Sequence, residues 1–201
     1  MTFAIDESFL PATLNARPMT DQQFAKLCAE HPDLFLEVTA EGELLVTPPT
    51  YSLTDARNTE ILGQLRNWAR KQRQSTVTGS SGGFVLPNGA RRSPAAAWTS
   101  KARLKELSKE SLAGFWHLSP DFVIELKSNS DRLPILRKKM TEWIDNGTEL
   151  GWLIDPDPRT VEIFRPNMKP EKVNGTLRSL RADGPVQGFI LDLDLVWNPL
   201  A

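Results

Sequence analysis

The chain has 201 residues, which suits one domain and is long enough to bury a substantial core. Its 24 basic and 25 acidic side chains leave a formal charge of -1, which argues against a protein that coats nucleic acid indiscriminately. The ordinary apolar and charged content excludes disordered and fibrous classes. No apolar run approaches the ~20 residues of a membrane span, and Asp6 and Glu7 stand where a signal peptide would be basic, so a cytoplasmic protein is expected. The single cysteine, Cys28, permits no internal disulfide, and His31 and His117 have no partner at metal-ligand spacing.

In chain order, Thr20 with Gln23 three residues on predicts a capped helix to about Glu30, with Phe24 and Leu27 facing inward. Leu34 to Thr39 and Glu43 to Thr47 flank Ala40-Glu41-Gly42 as the arms of a hairpin, which Pro48-Pro49 ends. From Thr54 to about Gln72, Ile61, Leu62, Leu65, Trp68 and Ala69 recur at helical spacing. Short strands around Val77 and Phe84 to Leu86 follow, then a strand from Ala95 to Thr99 entered from Pro94, and a helical or irregular excursion over residues 101 to 118. Phe122 to Lys127, Arg132 to Asn146 and Leu150 to Ile154 read as strand, helix and strand, a βαβ unit whose strands run parallel. Val161 to Phe164 and Phe189 to Val196 supply further strands. Three basic stretches stand out: Arg66 to Arg73, Arg91 to Lys105, and Arg132 to Lys139.

Within the strand at Phe122 the side chains alternate, so Glu125 and Lys127 project to one face and Phe122, Ile124 and Leu126 to the other. A carboxylate beside an ammonium near the end of an apolar strand suits phosphodiester hydrolysis, with the acid holding a hard divalent cation and the lysine orienting the attacking water.

The wider pattern resembles a known family. Ser93-Pro94-Ala95-Ala96-Ala97-Trp98, Ser119-Pro120-Asp121 leading into Phe122-Val123-Ile124-Glu125-Leu126-Lys127-Ser128, Lys139-Met140-Thr141-Glu142-Trp143, and Asn146-Gly147 through Asp155-Pro156 are together similar to the Uma-two family of restriction-endonuclease-like proteins. The resemblance implies the PD-(D/E)XK nuclease fold: an α/β domain over residues 1 to 201 with a mixed central sheet flanked by helices, and an N-terminal helix and hairpin over residues 1 to 50 packed on it. It further implies DNA as substrate, Mg2+ or Mn2+ as cofactor, and, for cutting both strands, a homodimer. Carried over by position, Glu125 matches the acidic metal ligand, the Leu126 carbonyl an additional ligand and Lys127 the catalytic lysine. Asn58 matches a polar residue facing the site. Arg91, Arg92, Arg132 and Lys139 are the residues expected to contact nucleic acid.

The sequence departs from the family at Ala95, where the Ser-Pro pair is expected to lead into a metal-binding aspartate. Asp121 lies about 13 Å along its strand from Glu125 and is too far to replace it; Glu43 and Glu60 are the alternatives. The metal is therefore expected to bind weakly or not at all and the chain to be inactive or impaired. The alternative is a catalytically dead nucleic-acid-binding or interaction protein of the same fold.

Overall fold

The computed structural model describes residues 10–15, 18–73 and 75–200. Its centre is a six-stranded sheet of β4 (Ser75–Gly79), β7 (Ala96–Ser100), β8 (Phe122–Leu126), β9 (Leu150–Asp155), β10 (Thr160–Phe164) and β11 (Glu171–Asn174), in spatial order β11-β10-β9-β8-β7-β4. Every pair is antiparallel except β8 with β9, which run parallel as the βαβ pattern predicts. All five residues of β8 are buried, as a strand covered on both faces must be.

Helix α2 (Ser52–Gln72) covers one face, placing Ile61, Leu65 and Ala69 against Phe122, Ile124 and Leu126. Helix α5 (Leu133–Asp145) covers the other, placing Leu136, Met140 and Trp143 against Val123 and Leu153. The alternation in β8 thus divides its side chains between two hydrophobic cores, with Glu125 on the α5 side. Gly151 of β9 is what lets α5 lie so close: a Cβ there would stand 2.4 Å from the Met140 methyl. Gly151→Ala is expected to lower stability by about 1–3 kcal/mol through overpacking, read from the urea midpoint at unchanged slope.

A second sheet forms beside the first from β1 (Ala12–Asn15), β2 (Phe35–Val38), β3 (Glu43–Thr47), β5 (Phe84–Val85) and β6 (Arg91–Arg92), in order β1-β3-β2-β6-β5. The N-terminal hairpin is therefore extended by strands from the middle of the chain, through the pairing of Val38 with Arg91. Helix α1 (Asp21–Glu30) packs Phe24 and Leu27 on this sheet, and Thr20 and Gln23 form the expected capping box. The excursion after β7 holds two one-turn helices, α3 (Lys101–Leu104) and α4 (Lys109–Leu112), capped by the Ser100 and Ser108 hydroxyls.

The chain end differs from the expected run of strand. After β12 (Ser179–Arg181), strand β13 covers only Ile190–Asp192, and Leu193–Trp197 is helix α6. The Asp192 carboxylate accepts from the Asp194 N–H at 3.0 Å and caps the turn, while Leu193, Val196 and Trp197, at helical spacing, enter the α2-side core. Among the described residues, no helix is long and apolar enough to cross a membrane.

Candidate functional site

A cleft of about 1310 Å³ opens between the two sheets, with residues of α2 and α5 along its walls. Glu125, Leu126, Ala95, Asn58, Lys139 and Arg92 all line it. The register of β7 on β8 accounts for two of them. The ladder begins with Ala96 paired to Ile124, so Ala95, in the bend just before β7, and Glu125, one residue beyond Ile124, both come to the same end of these strands, where each lines the cleft.

Glu125 is 5% exposed and accepts hydrogen bonds from the Trp143 indole at 3.0 Å and the Lys139 ammonium at 2.9 Å. Lys139 and Trp143 are four residues apart on α5 and so share a face. The same ammonium donates to Glu37 of β2 at 2.8 Å and to the Ser93 carbonyl at 3.0 Å. Glu37 in turn accepts from the Ser93 N–H at 2.7 Å and pairs with Arg92 at 3.3 Å, and Arg92 also pairs with Glu142 of α5. Three carboxylates and two cations are thereby locked together where the two sheets face α5.

Burial sets the proton affinities of this group, and its cations correct them unequally. Burial pushes Glu125 up; Lys139 pulls it back, but nearby Glu37 opposes that, and the carboxyl stays above its ordinary value of 4.5. Burial would also raise Glu37, yet Lys139 and Arg92 outweigh it and hold that carboxyl low. Lys139 loses proton affinity to burial and regains more from Glu125 and Glu37, ending raised. Of Glu125 and Glu37, Glu125 therefore takes up a proton first on acidification. A carboxyl whose folded pKa is raised contributes stability at low pH that is lost as pH rises from the unfolded value through the folded one. The Glu125→Gln chain, which lacks this titration, is expected to gain stability relative to the parent as pH rises upward from about 4.5, measured by urea unfolding at several pH values. A constant difference would mean that Glu125 titrates normally.

Lys127 is not brought to this group. It follows β8, but its ammonium pairs with Asp155 at 3.5 Å and Asp157 at 3.4 Å and lines no part of the cleft. Asp155 is its cross-strand neighbour in continuation of the β8–β9 register, which is why the ion pair forms there. The lysine beside Glu125 is Lys139.

Of the remaining expected residues, Asn58 lines the cleft with its Oδ1 buried and unpartnered. Arg91 is half-buried, pairing with Asp21 at 2.7 Å and lying over the Phe24 ring, so with Arg92 and Lys139 it is engaged inside the protein rather than free for phosphates. Arg132 is exposed at the start of α5. Asp121 is saturated by Ser100 and Arg103, 2.7 to 3.1 Å away. Glu43 lines the cleft and Glu60 does not. The second carboxylate beside Glu125 is Glu37, which local sequence reading passes over.

A divalent cation does not fit these residues as they stand. Among the described residues, no three His, Cys, Asp or Glu side chains gather to hold a metal ion. The oxygens that do gather, from Glu37 and Glu125, already surround the Lys139 ammonium.

Comparison with known proteins agrees with this architecture. A family model described as "Uma2: Putative restriction endonuclease" matches residues 21–194. A solved structure described as a putative nuclease belonging to DUF820 from Anabaena variabilis ATCC 29413 shares the fold, with a TM-score of 0.73 at 20% identity over 92% of this chain and 100% of that one. No curated protein matches the chain. Because the family match spans residues 21–194, most of the sequence, and the solved structure shares the fold, the chain belongs to the Uma2 family of restriction-endonuclease-like proteins.

Proposed function

We propose that this protein is the scaffold of a divalent-metal-dependent DNA endonuclease that cleaves poorly or not at all, because position 95 offers no oxygen. The observation that carries this reading is that Ala95 lines the same cleft as Glu125, Lys139 and Asn58. In the complete site, Mg2+ or Mn2+ would take its ligands from a carboxylate at 95, Glu125 and the Leu126 carbonyl, and would activate water against a phosphodiester. Lys139, rather than Lys127, is the lysine that stands beside Glu125 at this cleft. Cutting both strands calls for a symmetric pair of chains, an arrangement testable by sedimentation on DNA.

The test is Ala95→Asp, assayed for plasmid and oligonucleotide cleavage with Mg2+ or Mn2+. A metal-dependent gain is expected, and its absence in a folded variant would remove the reading. In that background Lys127→Met should leave cleavage within about twofold, whereas a fall on the order of 10²-fold would return the catalytic role to Lys127.

A second reading, nucleic-acid binding without catalysis, draws on the exposed Arg66, Arg70, Lys71 and Arg73 at the end of α2. It requires DNA affinity that falls steeply with salt and is lost when these four are neutralised.

A further inference from the structure

We infer that the Lys139 ammonium occupies an oxygen cage that would otherwise take a divalent cation, so that the floor of this cleft carries its own internal counter-ion. The inference rests on reading the cleft as that of a metal-dependent nuclease and adds why the present chain should hold no metal there even though two carboxylates remain.

A lysine ammonium has three N–H donors and no acceptor. Here each has an oxygen: Glu37 at 2.8 Å, Glu125 at 2.9 Å and the Ser93 carbonyl at 3.0 Å. Two carboxylates and a backbone carbonyl are the hard donors that Mg2+, Mn2+ and Ca2+ prefer. The three come from separate elements, β2, β8 and the link between β6 and β7, and converge only on this nitrogen. The ammonium is well placed to resist displacement, since its side chain is 12% exposed and rises from α5 beneath a packed helix face. Arg92, pairing with Glu37 and Glu142, further reduces the negative charge that an entering cation would meet. A cation at the cage centre would stand within about 3 Å of a fixed positive charge, a repulsion that two carboxylates do not offset. Removing the ammonium reverses this balance and leaves three oxygen donors facing one another.

The experiment is Mn2+ titration followed by electron paramagnetic resonance, on the parent, Lys139→Ala and Lys139→Ala/Glu125→Gln, with Ca2+ as competitor. The parent is expected to show no saturable site at millimolar Mn2+. Lys139→Ala should bind one Mn2+ at least about tenfold more tightly than the parent, and the double variant should lose that site. Should Lys139→Ala fail to fold alone, the readout is its far-ultraviolet circular dichroism on adding Mn2+: regain of the native spectrum supports the cage. Saturable Mn2+ binding by the parent at this site, or a Lys139→Ala chain that neither binds Mn2+ nor refolds with it, overturns the inference. Neither outcome depends on cleavage, so a negative Ala95→Asp assay would refute the nuclease reading and leave this measurement informative about the cage.

Discussion

Ala95→Asp is expected to raise metal-dependent nicking of plasmid DNA over that of the parent chain, with a rate gain on the order of 10²-fold or more, the scale of a single well-placed electrostatic contribution. The reason is geometric. Position 95 immediately precedes Ala96, the partner of Ile124, and lines the cleft with Glu125, so a carboxylate there adds hard donors at the wall that already holds one. It also adds a negative charge to a group in which Lys139 now balances Glu37 and Glu125, which strengthens the group's attraction for a divalent cation. Position 95 lines the cleft just before the strand and is half-buried against the α2-side core, so the assay is run on a variant shown to be folded by circular dichroism. Calorimetric titration with Mn2+ beside the cleavage assay separates a failure to bind metal from a failure of chemistry.

Lys139→Met is expected to lower folding stability by about 3–5 kcal/mol near neutral pH, the range for leaving a buried charge without its partner. Methionine keeps the apolar stem but strands Glu125 and Glu37, which lie 5% and about 15% exposed. The loss should shrink as pH falls, because Glu125, already raised, can then protonate instead of remaining ionised. Adding Glu125→Gln to Lys139→Met should recover part of it, while Glu37 keeps Arg92 and the Ser93 N–H. Urea unfolding of both variants at two pH values reads all three expectations, and a pH-independent loss below about 1 kcal/mol would place these charges in effective contact with water.

Part of the cleft's lining was legible locally. Alternation through Phe122 to Leu126 put Glu125 on the face opposite Ile124, and the Ser93-Pro94-Ala95 motif falls at the same cleft. Glu37 was not legible, because Leu36-Glu37-Val38 in a hairpin reads as one polar residue on a solvent face. Only the meeting of the two sheets turns that side chain inward. Lys127 misled for the converse reason: its direction along the strand was right, but Asp155 and Asp157, brought alongside by the parallel pairing of β9, capture its charge. At the chain end, Leu191-Asp192-Leu193-Asp194-Leu195 alternates like a strand, and the capping carboxylate of Asp192 together with the buried Val196 and Trp197 decides for helix.

Glu37 belongs to the five-stranded sheet and Glu125 to the six-stranded one, and no strand is common to both. One of the chain's crossings between them runs through Ser93, Pro94 and Ala95, so position 95 also sits in a short joint between two β layers. One ammonium on a third element thereby clasps both layers, beside the Arg92–Glu142 pair and the shared packing of Phe84, Leu86 and Ala90 with Ala97 and Val123, so the angle between the layers is set from α5 rather than by any hydrogen-bonded strand.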